Sequence, residues 1–191
     1  MKTGLYFGSF NPVHIGHMAI ANYMVEFTGL DEVWFVISPH NPLKKKESLL
    51  ADHFRLDMVE MAIAGDERLR CCDIELHMPR PSYTVDTLTY LRERYPRNEL
   101  ALIMGADGLS TFHKWKNYEL IEKNVPRFVY PRAGIPAGEV KKHKNIFYAE
   151  DAPLIQLSSS WIREGIKRKH DLRHFLPGPV HEYIKTMQFY R

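Results

Sequence analysis

Apolar residues in this 191-residue chain fall into two alternating patterns. Short unbroken runs at residues 4–7 (Gly-Leu-Tyr-Phe), 32–37 (Glu-Val-Trp-Phe-Val-Ile), 99–105 (Glu-Leu-Ala-Leu-Ile-Met-Gly) and 127–130 read as strands buried on both faces. Residues 69–74 and 145–148 are weaker runs of the same kind. Between the runs, apolar residues recur at helical spacing. Met18, Ala21, Met24, Val25 and Phe27 form one such set, and Phe54, Met58, Met61 and Ala62 form a second that Gly65 stops. A third, Leu88, Leu91 and Tyr95, follows Ser82-Tyr83-Thr84, a helix start whose Ser or Thr can cap. Residues 110–124, with Phe112, Trp115, Tyr118, Leu120 and Ile121, suggest short helices. Ser158, Ser159 and Ser160 open another, and Val180, Ile184 and Met187 mark a last one. Residues 38–47, with Pro39, Pro42 and three lysines, read as a long loop, and residues 131–139 as a shorter one. Strands alternating with helices predict an α/β, Rossmann-like three-layer sandwich with a mostly parallel sheet.

Composition narrows the possibilities. The length fits one domain spanning residues 1–191, and 45% hydrophobic residues suffice for a core. With 26 basic against 23 acidic residues, the net charge of +3 is too small for a nucleic-acid footprint. No aromatic-lined basic stripe supports RNA binding either. Small anionic substrates remain compatible, and the basic runs at 44–46, 141–144 and 167–170 read as solvated faces. The only cysteines, Cys71 and Cys72, are adjacent and point to opposite faces of a strand, so a disulfide between them is disfavoured. A reducing compartment follows, and the absence of a signal-like or membrane-spanning apolar stretch makes the expected location cytoplasmic, with no membrane partner.

The chemistry concentrates in residues 8–17, Gly-Ser-Phe-Asn-Pro-Val-His-Ile-Gly-His. This is a strand-to-helix turn at the carboxyl edge of a sheet, where helix amides face a ligand crevice. Gly8 admits a phosphate to the main chain, and His14 and His17, three apart, fall on one helix face where each can donate to a phosphate oxygen. Each gains strength if protonated beside an anion. Half a metal site is the competing interpretation, but no third Cys or His lies nearby in a zinc spacing. A second candidate anion site is the serine run with Arg163: helix amides plus a planar guanidinium suit a pyrophosphate, although a plain cap and a surface arginine carry the same residues. Asp107, at the end of the fourth run, serves equally as a ribose ligand or as a helix cap. Trp115 taken alone is core, and Arg132 is a phosphate contact or a surface residue.

Residues 8–17 resemble the signature of the nucleotidyltransferase superfamily with the His-x-Gly-His motif, and residues 157–163 resemble its second signature, Ile-Ser-Ser-Ser-x-Ile-Arg, with Leu157 in first place. The match narrows with Ser82-Tyr83-Thr84-Val85-Asp86-Thr87, Gly105-Ala106-Asp107 and Trp115: the chain resembles the bacterial nicotinate-nucleotide adenylyltransferases over nearly its whole length. That resemblance implies transfer of AMP from Mg-ATP to nicotinate mononucleotide, giving deamido-NAD and pyrophosphate. It implies catalytic roles for His14, His17 and Arg163, and ATP contacts at Gly8, Ser9, Phe10, Gly16, Lys44, Gly105, Asp107, Ser158, Ser159 and Ile162. It implies acceptor contacts at Tyr83, Thr84, Trp115 and Arg132, with Trp115 stacking on the pyridine ring. Magnesium rides on the phosphates of ATP, with no protein metal ligand named. The chain departs from the family pattern at Asn11, where Asp is usual, in a shortened loop around Lys44, and at Tyr118, which stands for a second tryptophan. Alternatives are the same reaction on nicotinamide mononucleotide or phosphopantetheine, or a non-catalytic nucleotide sensor.

Overall fold

The computed structural model describes residues 1–39 and 49–191. Its strands are β1 (Lys2–Gly8), β2 (Glu32–Ile37), β3 (Leu69–Cys72), β4 (Glu99–Gly105), β5 (Arg127–Tyr130) and β6 (Ile146–Tyr148). All pair in parallel, in the order β3-β2-β1-β4-β5-β6. The chain lays β1 to β3 outward in one direction and then returns to set β4 on the other side of β1. Connections from these two central strands leave to opposite faces, so a crevice opens at their carboxyl ends. Tyr6 lies opposite Phe35 of β2 and Ile103 of β4, and Gly8 and Gly105 end their strands on the same rim.

The helices are α1 (Ile15–Phe27), α2 (Asp52–Ile63), α3 (Thr84–Arg94), α4 (Leu109–Phe112), α5 (Tyr118–Asn124), α6 (Ala137–Val140), α7 (Ser159–Lys167) and α8 (Gly178–Thr186). Side chains alternate across each strand, and the sheet therefore has a core on each face. Tyr6, Val33, Phe35, Ile37 and Ile103 face Ile20, Ala21, Met58, Ile162 and Val180, from α1, α2, α7 and α8. Leu5, Trp34, Val36, Leu102 and Met104 face Leu88, Leu91, Phe112, Ile121 and Val140, from α3 to α6. The apolar runs are continuous because both faces of the strands are covered.

Several expectations are adjusted. The third strand stops at Cys72, and Ile74–His77 forms a 3-10 turn instead of extending it. The loop expected at 131–139 gives way to α6 from Ala137. Neither Ser82 nor Thr84 caps α3: its N-cap is Tyr83, with no side-chain cap. Cys71 and Cys72 do face opposite cores, both as free thiols. Burial pushes the Cys71 thiol up to about 12 and raises that of Cys72 as well. No helix among the described residues is long and apolar enough to cross a membrane.

Candidate active site

The turn after β1 is shaped by one aromatic ring. Phe10 adopts a left-handed backbone (φ 43°), and its buried ring returns beneath the turn to meet Tyr6 at 5.8 Å, Phe35 at 5.3 Å and His17 at 5.1 Å. A Cβ on Gly8 would sit 2.8 Å from that ring, so packing alone demands glycine there. His14 is the N-cap of α1, and its N–H donates to His17 Nδ1 at 3.2 Å. This bond makes Nδ1 the acceptor and leaves the His17 proton on Nε2. The two imidazoles stack, 3.7 Å between centroids, on one helix face as the spacing predicts. Gly16 permits this approach, since a Cβ there would lie 3.0 Å from His14 Nδ1. Burial, assisted by the charge of Arg132, holds the His14 imidazole down at about 4. Before an anion arrives, His14 is therefore neutral at pH 7.

The second signature is bolted to the first. Ser158 caps α7 by accepting the Trp161 N–H at 3.2 Å, as expected. Ser159 Oγ donates to the Pro12 carbonyl at 2.9 Å, and Arg163 Nη1 to the Asn11 carbonyl at 2.8 Å. Arg163 Nη2 also reaches Ser160 Oγ at 3.3 Å. The start of α7, His14, Gly16, His17 and Arg163 enclose a cavity of about 350 Å³. Ile162 is different: its side chain is fully buried in the core and supports the site only by anchoring α7.

A larger cavity, about 640 Å³, lies beside it and is lined by Tyr83, Thr84, Gly105, Asp107, Trp115 and Arg132. Gly105 and Asp107, grouped with ATP by the sequence, thus share walls with the residues grouped with the acceptor. Asp107 caps no helix; its carboxylate faces Arg132 Nε at 3.4 Å. This pair passes over Gly105, where a Cβ would approach Arg132 Nε to 2.9 Å. Trp115 packs on Phe112 at 5.4 Å and also lines the cavity. Among the described residues, the backbone N–H groups of Tyr83 and Thr84 find no acceptor inside the protein.

The two cavities share a wall of Tyr6, Phe7, Gly8, Ser9, Tyr130 and Arg132. Arg132 is held there by hydrogen bonds to the Ile155 carbonyl and the Tyr130 hydroxyl, each 3.3 Å, and Tyr130 in turn meets the Tyr6 hydroxyl at 3.4 Å. Sequence reasoning missed Tyr6 and Tyr130, which looked like ordinary strand residues. It also missed Lys116, whose ammonium lies 4.6 Å from the Tyr83 ring centre and pairs with Asp86 at 2.9 Å. Arg55 was equally hidden: its buried guanidinium donates to the carbonyls of Ser9 at 2.6 Å and Ser38 at 2.9 Å. An arginine on the apolar side of a helical pattern was the only available signal. Lys44 lies outside the described residues.

A doubly wound parallel sheet with a paired-histidine helix start, a second helix start clamped onto the same loop, and two cavities meeting at the switch point is the architecture of a nucleotidyltransferase. A cytidylyltransferase-like family model matches residues 5–165. The chain is 49% identical to a Flavobacterium johnsoniae protein and 45% identical to one from Bacteroides fragilis, both named "Probable nicotinate-nucleotide adenylyltransferase". The alignments cover 100% of both chains in the first case, and 96% of this chain and 90% of the relative in the second. The chain belongs to the cytidylyltransferase-like family and, within it, to the nicotinate-nucleotide adenylyltransferases. The fold is also that of Plasmodium falciparum nicotinic acid mononucleotide adenylyltransferase complexed with NaAD, with a TM-score of 0.84 at 21% identity over 99% of this chain and 97% of the other.

Proposed function

We propose that the protein transfers the adenylyl group of Mg-ATP to nicotinate mononucleotide, giving deamido-NAD and pyrophosphate in NAD biosynthesis. The observation that carries this is the shared wall: a cavity of about 350 Å³ with two helix N-termini adjoins an aromatic and amide-lined one, with Arg132 between them. A phosphate oxygen of the acceptor attacks the α-phosphorus of ATP, the bond to the β-phosphate oxygen breaks, and pyrophosphate leaves with that electron pair. No covalent enzyme intermediate is required. Both reactants are anionic, so the work of the site is to neutralise charge and hold them in line.

His17 Nε2–H and the His14 imidazole serve the transferring phosphate, together with the amides of α1. Arg163 and the start of α7 at Ser158 and Ser159 hold the outer phosphates of ATP, with Gly8, Ser9 and Gly16 giving the backbone close approach. The Tyr83 and Thr84 amides receive the nicotinate carboxylate through hydrogen bonds and the dipole of α3. Trp115 stacks on the pyridine ring, Asp107 accepts from a ribose hydroxyl, and Arg132 meets the phosphates where the cavities join. Magnesium travels with ATP on its phosphate oxygens. The whole chain acts as one domain, in the cytoplasm, where thiols such as Cys71 and Cys72 stay reduced.

The test is pyrophosphate release by purified protein with Mg-ATP and, in parallel, nicotinate mononucleotide, nicotinamide mononucleotide and phosphopantetheine. Fastest release with the nicotinate acceptor is expected. Faster release with either of the others would move the assignment to that acceptor, and ATP binding without release would make the protein a sensor.

A further inference from the structure

The loop from Gly8 to His14 is held by elements distant in sequence, and one contact comes from the penultimate residue. The Tyr190 hydroxyl donates to Asn11 Oδ1 at 2.7 Å across 179 positions. The same oxygen accepts the Leu50 N–H at 3.3 Å, while the Asn11 carbonyl accepts from Arg163. Asn11 is 3% exposed and follows Phe10, whose left-handed backbone persists in a non-glycine residue only where the surroundings impose it.

The C-terminal segment is built to deliver that hydroxyl. After α8, the Phe189 N–H donates to the Ile184 carbonyl at 3.1 Å, and the Phe189 ring meets Phe54 of α2 at 4.8 Å and Tyr183 at 5.7 Å. Tyr183 is itself tied to α2 through Asp57 at 2.9 Å. The tail therefore sits on the same helix whose Arg55 holds the Ser9 carbonyl. Burial raises the Tyr190 phenol far above its ordinary range, which keeps it a donor.

We propose that Tyr190 is a positioning residue for the candidate active site: its hydroxyl sets Asn11, and through Asn11 the phosphate-facing loop. This rests on the assignment of that loop to ATP. Tyr190→Phe keeps the ring and removes only the donor. Its Kd for ATP, measured by calorimetry without acceptor, should rise about fivefold, and turnover should fall about tenfold, as a slight misplacement of the loop requires. Its melting temperature should stay close to that of the wild type. In an Asn11→Ala background the acceptor is gone, and Tyr190→Phe should then change neither quantity by more than about twofold. Asn11→Leu, which also lacks an acceptor, takes its place if that variant does not fold. Unchanged Kd and turnover in Tyr190→Phe, or equal losses in both backgrounds, would overturn the proposal. A wild type that binds ATP but releases no pyrophosphate defeats the assigned reaction, while the ATP-affinity cycle still decides the role of Tyr190.

Discussion

His14 combines burial with a proposed role that calls for positive charge. Its imidazole protonates near 4 in the folded protein, whereas an unfolded imidazole protonates near 6.5. Between those values the unfolded chain binds the proton that the folded protein refuses. Stability is therefore full above about 6.5 and declines as pH falls toward 4. His14→Asn should flatten this slope, and melting curves between pH 7 and pH 5 will show whether it does. An anionic phosphate favours the protonated form, so the same imidazole can become charged when ATP binds. His14→Ala should leave the fold intact and lower turnover by roughly 10²-fold, the usual scale for losing one preorganised donor. Turnover close to wild type in the folded variant would remove His14 from the chemistry. Ile162 is the contrasting residue: Ile162→Ala deletes core volume and should cost about 2–5 kcal/mol in denaturant titration. Any loss of activity there should track stability.

At the level of elements, the proposed function gives the binding to helix starts. The start of α7 is clamped to the β1 loop through Ser159 and Arg163, so Arg163→Ala removes a loop anchor together with the phosphate ligand proposed above. We expect it to raise the KM for ATP more than that for the acceptor and to lower kcat; steady-state kinetics with each substrate varied in turn separates these effects. In the proposed site the start of α3 offers two amides to a carboxylate, whereas a carboxamide would turn its own NH₂ toward them. One mismatched polar group costs about 1–3 kcal/mol, so the nicotinate acceptor should be preferred by at least roughly tenfold. The stacking proposed for Trp115 suits either ring. Trp115→Ala should accordingly raise the KM for both acceptors and preserve the ratio of their kcat/KM values. A ratio that collapses in the variant would make the tryptophan, not the helix start, the discriminator.

Across the whole molecule, the order of the sheet is what brings the two cavities together. β1 and β4 are neighbours although residues 9–98 separate them, and β5 supplies Tyr130 and, just beyond it, Arg132 to the same rim. Arg132 touches both cavities and lowers the pKa of His14 through its charge. Arg132→Met should therefore raise KM for both substrates and move the His14 titration upward, which histidine ring resonances in NMR would register. A loss confined to one substrate would place Arg132 on one side only.

Most strands and helices, the parallel α/β class and the two strand-to-helix and helix-start turns that line the smaller cavity were legible in the chain because they depend on local pattern, whereas the short helix α6 was not. Unbroken apolar runs mark two-sided burial, His-x-x-His spacing sets one helix face, and Ser158 caps the helix it precedes. What the fold alone decided concerns residues that look ordinary in sequence: Tyr6, Arg55, Tyr130 and Tyr190 each meet a hydrogen-bond partner 17 to 179 positions away. The charge state of His14 was hidden for the same reason. It depends on how much water the fold removes and where it places the Arg132 guanidinium, and neither dehydration nor a through-space charge is written in the spacing of neighbouring residues.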